Sequence, residues 1–322
     1  MGELRDEIGD VSLIDPRETK NTKSLEEVTP ISIYPDYLDR HVMIETELTE
    51  ELQSALVEFL KKNYDVFAWS QGDVPGIDPY ITIHNLFTDP DHPPIFQKRR
   101  KFTLEQLKII EDEVSKLVKA DVIKESHYPD WLANIVVALK KCGKCRVCID
   151  FTNLNKACPK DNFPLPKIDL IVDATSKYEF LSFMDAFFRY HQIKMHPPDI
   201  EKMSFITERG LYCYKVMPFG LKKVGTTYQW QVNRMFKELI GDTMEVYIDN
   251  MLVKNLKAAD HIAHLGKTFG IFRKYRMMLN PFKCIFGVSS GKFLDFLVTK
   301  QGIEANPDQI QALMSSPCVH NV

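Results

Sequence analysis

The sequence predicts an α+β fold organised around an antiparallel sheet, and three observations carry that prediction. Short runs of β-formers come in pairs separated by tight turns, which is the pattern of hairpins. Between the pairs, apolar residues repeat at helical spacing, which marks amphipathic helices. Pairs and helices are mixed rather than strictly alternating, which favours antiparallel pairing over a parallel sheet with crossover helices.

Taken in order, residues 1–45 are acidic, rich in turn formers and without clear periodicity, so they are expected to form a linker or arm. Thr49 caps a helix carrying Leu52, Ala55, Leu56, Phe59 and Leu60 on one face. A proline-rich connection runs from Pro75-Gly76 to Pro94. Thr103 and Gln106 form a capping box for a second helix, whose apolar face is Leu107, Ile110, Val114, Leu117 and Val118. After Pro129 the period shortens to two. The runs Asn134–Leu139 and Cys145–Ile149 flank a turn at Gly143, and Ser204–Thr207 and Leu211–Val216 flank Arg209-Gly210. A buried strand over Phe180–Met184 ends at Asp185. Helices are expected at about Lys222–Leu239 and Ala258–Tyr275, with a last hairpin turning at Ser289-Ser290-Gly291.

The run Val246-Tyr247-Ile248-Asp249-Asn250-Met251 reads as a hairpin with an acid at its tip. A carboxylate held on a rigid hairpin suits Mg²⁺, which takes hard oxygen ligands in near-octahedral geometry. Asp185 ends a strand of the same expected sheet. Two such carboxylates can hold two divalent ions about 4 Å apart, an arrangement that activates one oxygen and stabilises another in an in-line displacement.

Composition narrows the class. With 44% hydrophobic and 26% charged residues, the 322-residue chain falls among globular proteins rather than disordered or membrane-embedded ones. The start, Met1 to Glu7, is too acidic for a signal or transit peptide, and Asp6 stands where a myristoylation site wants Ser or Thr. No apolar run approaches the ~20 residues of a membrane span, so the expectation is an intracellular protein with no membrane partner. The net charge of −3 hides an asymmetry: residues 1–60 hold 5 Lys/Arg against 15 Asp/Glu, leaving the remainder at +7. A basic body of this kind fits a polyanion partner, and Gln97-Lys98-Arg99-Arg100-Lys101 would suit phosphate contacts. Seven cysteines, an odd number, argue against a disulfide framework. Cys142, Cys145 and Cys148 have a metal-like spacing. However, Cys145 and Cys148 fall on an expected strand at an odd separation, which puts them on opposite faces.

A set of ordered stretches then becomes decisive. These are Tyr128-Pro-Asp-Trp-Leu-Ala-Asn134, Arg146–Phe151, Leu154-Asn155, Phe163-Pro-Leu-Pro166, Phe183-Met-Asp-Ala186, Tyr190–Ile193, Met217-Pro-Phe-Gly-Leu221, Tyr247-Ile-Asp249 and Leu279–Cys284. Over about residues 73–313 the chain resembles the reverse transcriptase domain of a plant gypsy-type LTR retrotransposon polyprotein. The resemblance implies a right-hand polymerase, α+β, with fingers (about 95–165), a palm (about 166–300) with an antiparallel sheet, and the thumb largely missing. Residues 1–72 would be an acidic arm with a short helix, and 314–322 a truncated tail.

The resemblance also implies roles. Asp185, Asp249 and the backbone of Ala186 would hold two Mg²⁺ or Mn²⁺ ions, with Lys283 as general acid for the pyrophosphate. Lys140 or Lys141 and Arg146 would grip the dNTP triphosphate. Tyr190 would pack under the incoming sugar, Phe219-Gly220 would pack on nucleotide and template, and Phe293-Leu294 would begin the primer grip. The implied partners are an RNA or DNA template with its primer and dNTPs. The implied place is the cytoplasm, in a virus-like particle, or the nucleus.

Several positions depart from the family pattern. Asn250 replaces the second aspartate of Tyr-x-Asp-Asp, and Phe188-Arg189 replaces a small residue and a glycine. Asp295 replaces a primer-grip glycine, and Cys142 and Cys145 replace an asparagine and a tryptophan of the fingers hairpin. Two expectations follow: an RNA-directed DNA polymerase derived from a retrotransposon, or a non-catalytic nucleic-acid-binding remnant of a decayed element.

Overall fold

The computed structural model describes residues 27–305, apart from 35, 36, 38, 140–144, 161, 162 and 295. Strands β1 (Val28–Ser32) and β2 (His41–Glu45) precede helix α1 (Glu50–Lys62). Thr49 caps α1 through its hydroxyl, which accepts the Leu52 N–H. A short strand β3 (Ile83–His84) leads to α2 (Leu104–Lys119). The capping box forms in both directions, Gln106 N–H to Thr103 Oγ1 at 3.3 Å and Thr103 N–H to Gln106 Oε1 at 3.1 Å. Ile110, Val114 and Leu117 are the buried face of α2, whereas Val118 lies exposed.

Next come β4 (Ile123–Glu125) and the hairpin β5 (Ile135–Leu139) with β6 (Cys145–Ile149), followed by α3 (Thr152–Ala157) and α4 (Ile168–Asp173). β7 (Phe180–Asp185) and β8 (Lys194–Met195) precede the pair β9 (Ser204–Ile206) and β10 (Leu211–Tyr214). α5 (Val224–Met235) is shorter than its expected span. β11 (Met244–Tyr247) and β12 (Asn250–Asn255) form the hairpin with the acid at its tip, and α6 (Ala258–Tyr275) keeps its expected limits. β13 (Ile285–Val288), β14 (Gly291–Phe293), β15 (Phe296–Thr299) and β16 (Gly302–Ala305) complete the described chain.

Six strands make the palm sheet, in the order β1-β2-β13-β7-β12-β11. Period-two alternation gives it two dry faces. Met184, Met251, Val253 and Phe286 lie on one face, in a core with Leu56 and Leu60 of α1, Tyr228 and Val232 of α5, and Phe269 and Phe272 of α6. Leu181, Phe183, Leu252 and Ile285 lie on the other, with Ile171 and Val172 of α4 and with Phe293 and Val298 of the β14-β15-β16 sheet.

Three expectations need correction. The arm reading fails for Val28–Ser32 and His41–Glu45, which are the outer two strands of the palm sheet. Val42 and Ile44 alternate with half-buried neighbours, and that period-two signal was hidden in an acidic, turn-rich context. Residues 1–26 lie outside the described residues. The expected hairpin at Ser289–Gly291 is instead a crossing between two sheets. β13 already pairs with β2 on one edge and β7 on the other, so no edge is left for β14. The β13–β2 pairing is parallel, so the palm sheet is antiparallel except at that junction.

The β9–β10 hairpin forms as expected but pairs further with β4. It therefore sits with the fingers elements, although its sequence position falls within the expected palm range. No helix among the described residues is long and apolar enough to cross a membrane.

Candidate active site

Asp185 is the last residue of β7 and lies opposite Asn250, the first of β12. Asp249 is the next residue back, on the two-residue tip that joins Tyr247 to Asn250. The register thus brings both carboxylates to the same end of two adjacent strands, with Asp185 and Asp249 5% and 8% exposed. The tip is strained: Ile248 has φ +54°, a left-handed conformation that a β-branched residue rarely adopts. Gln229 of α5 holds it there. Its side-chain oxygen accepts the Ile248 N–H at 2.5 Å and its amide donates to the Val246 carbonyl at 3.3 Å.

Two cations face the two carboxylates. After β7 the chain turns through Phe188, itself left-handed at φ +45°, into a single 3₁₀ turn over Arg189–Gln192. That turn aims the Arg189 guanidinium at Asp249, with which it forms a hydrogen-bonded ion pair, both side chains being largely buried. Burial opposes the guanidinium charge, but Asp249, Tyr190 and Asp185 outweigh it, and its pKa is raised. Lys283 Nζ lies 3.6 Å from Asp185 Oδ1 and is more exposed. Lys283 stands on a 3₁₀ turn (Pro281–Lys283) capped by Asn280, whose N–H donates to the Asp185 carbonyl at 2.8 Å. The Ala186 carbonyl accepts the Arg189 N–H at 3.4 Å.

An aromatic wall adjoins the carboxylates. Tyr190 is buried, with its ring 4.5 Å from Phe219 and edge-on to Tyr228 at 5.6 Å. Burial, then the charge of Asp249, pushes the Tyr190 hydroxyl up to about 12 against the pull of Arg189. The Arg189 guanidinium lies 4.9 Å from the Tyr190 ring centre and 5.2 Å from that of Phe219. Gly220 has φ +89°, which only glycine adopts without cost, and a Cβ there would come 3.4 Å from the Ile149 carbonyl. Asn155 of α3 ties this loop to the fingers, donating to the Gly220 carbonyl at 2.6 Å and accepting the Lys222 N–H at 2.9 Å.

The other sequence candidates separate. Lys140, Lys141 and Cys142 lie outside the described residues, as does Asp295. Arg146 is half-buried on β6 opposite Ala138. In the 97–101 run, Arg99 pairs with Glu208 and Arg100 with Asp150, so two of its charges are tied within the fingers. Cys145 and Cys148 stand on β6 opposite Leu139 and Val136. Phe293 is buried against Phe183, and Leu294 turns the β14–β15 hairpin at φ +51°. Sequence reasoning missed Gln229 and gave Asn155 no role. Both are polar residues whose partners are backbone groups of distant segments, and no local pattern announces such a contact.

Among the described residues no three His, Cys, Asp or Glu side chains converge. Asp185, Asp249 and Asn250 stand at the same end of the sheet, two carboxylates and one amide, and oxygen donors of that kind suit a divalent cation.

Comparison with known proteins bears on the family and the fold. Residues 138–298, half of the chain, match the family described as reverse transcriptase (RNA-dependent DNA polymerase). The chain is 28% identical over 240 residues to the retrovirus-related Pol polyproteins of transposon 297 and transposon gypsy, both of Drosophila melanogaster. It is 24% identical over 209 residues to the transposon Tf2-7 polyprotein of Schizosaccharomyces pombe. These alignments cover 73%, 72% and 65% of the chain but only 23%, 23% and 16% of the relatives. The fold resembles the foamy viral protease-reverse transcriptase, solved in complex with an RNA/DNA hybrid. The TM-score is 0.75 at 18% identity, over 84% of this chain and 36% of that one. The same viral protein bound to dsDNA gives the same score. The family match over half of the chain, together with the Pol polyprotein relatives and the shared fold, places the chain in the reverse transcriptase family, among retrotransposon Pol polyproteins.

Proposed function

We propose that this chain carries out RNA-directed DNA synthesis, transferring a nucleotide from a dNTP to a primer 3′-hydroxyl on an RNA or DNA template. The register that sets Asn250 against Asp185, and so Asp249 beside it, is the observation that carries this reading. Asp185 and Asp249, with the Asn250 amide and the Ala186 carbonyl as neutral oxygens, would hold the divalent ions. When bound, such ions supply Lewis acidity to the attacking and leaving oxygens.

The chain's own groups do the rest. Tyr190 and Phe219, which pack ring against ring, would form the floor for the sugar and base, with Tyr190 set to exclude a 2′-hydroxyl. Gly220 lets the backbone approach the template closely. Lys283 Nζ holds a proton for the departing pyrophosphate, and Arg146 of the fingers faces the triphosphate. The Phe293-Leu294 turn positions the primer. The same reading puts the activity in the cytoplasm, within virus-like particles, or in the nucleus.

Primer extension with Mg²⁺ or Mn²⁺ tests the proposal. Extension is expected with the chain as given and lost on Asp185→Ala. Equal extension by both proteins would overturn the assignment. One observation favours a second reading, nucleic-acid binding without chemistry: Asn250 removes a ligand charge while Arg189 neutralises another. That reading expects salt-sensitive binding to a template–primer, with no extension by either protein.

A further inference from the structure

We infer that Arg189 is an internal rival of the divalent ion, a tethered cation that closes the site from within and must be displaced before metal and nucleotide enter. This rests on the reading of Asp185 and Asp249 as the metal ligands.

Three contacts carry the inference. The guanidinium binds Asp249 directly, and both side chains are largely buried. Its central carbon also lies 4.9 and 5.2 Å from the ring centres of Tyr190 and Phe219, the two rings that would form the nucleotide floor. One side chain therefore fills the ground of two ligands at once. It is delivered by the left-handed Phe188 and the 3₁₀ turn that follows, so its position is built into the backbone.

The two cations at the site are not equivalent. Lys283 is 3.6 Å from Asp185 and its side chain is 35% exposed, so it can swing into solvent at little cost. Arg189 is only 15% exposed and is held both by its charge pair and by cation–π attraction to the two rings. It is also permanently charged, so no accessible pH removes it, and displacement is the only way to open Asp249. Because the rival is tethered, it competes at high effective concentration, while Mg²⁺ gives up its own water reluctantly. Tight metal binding should therefore require the loss of Arg189, and not only the repair of Asn250.

The test is Mn²⁺ binding to the metal-free chain, followed by the electron paramagnetic resonance of the free ion, with no nucleotide or primer present. Arg189→Gly removes the rival. Arg189→Met keeps most of its packing over the rings, and covers the case in which the glycine variant fails a circular dichroism check of folding. Both variants are expected to bind Mn²⁺ about tenfold tighter than the parent or better. Adding Asp249→Asn should abolish the gain. As an independent readout, millimolar MnCl2 should raise the melting temperature of Arg189→Met more than that of the parent. If folded variants bind no more tightly than the parent, while Asp249→Asn still weakens the parent, Arg189 is no rival and the metal reading stands without this inference. If no variant shows binding that depends on Asp249, the carboxylate pair is not a metal site, and the proposed function fails with the inference.

Discussion

The β11–β12 hairpin engages two buried ion pairs, one near its root and one at its tip, and they are built on opposite principles. At the root, Lys254 Nζ lies 2.9 Å from Glu245 Oε1, with side chains 2% and 6% exposed. Both partners belong to the hairpin, diagonal across its strands on one face. The ammonium also donates to the Ala174 carbonyl at 2.5 Å and lies 4.8 Å from the Tyr178 ring centre. At the tip, Asp249 takes its cation from a different segment, the turn after β7, and both side chains are slightly more exposed, at 15% and 11%. The root pair is enclosed and has its donors placed. The tip pair is enclosed only as long as Arg189 stays. The same kind of pair is closed within one hairpin in one place and bridges two separate segments in the other.

The largest effect expected concerns the root. Lys254→Met leaves Glu245 buried without its cation and should destabilise the chain by about 3–5 kcal/mol in urea unfolding. A Lys254→Met, Glu245→Leu double variant should recover most of that loss. A single variant as stable as the parent would break the contrast, because the root pair would then matter no more than a surface one.

Gln229→Ala, at the tip, should cost about 1–3 kcal/mol by stranding the Ile248 N–H and the Val246 carbonyl. Hydrogen exchange of the Ile248 amide should accelerate while that of the root amides stays unchanged. Uniform acceleration along the hairpin would mean that root and tip open together.

The smallest effect per step comes from pH, and it contrasts charged pairing with neutral burial. On the far face of the same sheet, Ser182 Oγ lies 2.7 Å from His261 Nε2, and His261 Nδ1 lies 2.8 Å from Asn255 Oδ1. Burial, then His264, pushes His261 down to about 3, and burial alone pushes His191 down to about 4. Unfolded histidines take a proton near pH 6.5. Between 6.5 and those folded values the unfolded state binds more protons, so stability is full above pH 6.5 and falls on acidification. The loss is at most about 1.4 kcal/mol per pH unit for each histidine. Melting temperatures from pH 7 to 4 should drop less steeply in His261→Asn than in the parent. Parallel curves would show that His261 does not carry the acid loss.

Much of the architecture was legible because its causes are local. The capping box at Thr103, the period of α6 and the alternation of β5 and β6 all lie within a few neighbouring residues. What could not be read was set by distant partners. The strand at Val42 and Ile44 has an ordinary alternation, but only the edge offered by β13, more than 200 residues later, makes it part of the palm. The Ser289 turn looks like a hairpin until both edges of β13 prove to be taken.

The site divides in the same way. By itself the sequence determined the family, the two aspartates, the aromatic pair Tyr190 and Phe219, and the departures at Asn250 and Arg189, because each is a matter of residue type within a short ordered motif. Only the tertiary structure decided what those departures do to one another. Arg189 and Asp249 are 60 residues apart and meet because β7 and β12 are hydrogen-bonded neighbours, and the turn after β7 leans over the tip of the next hairpin. A misplaced arginine in the sequence is a missing glycine. In the folded chain it is a cation bound to the Asp249 carboxylate, because Coulomb attraction depends on distance in space and not on distance along the chain.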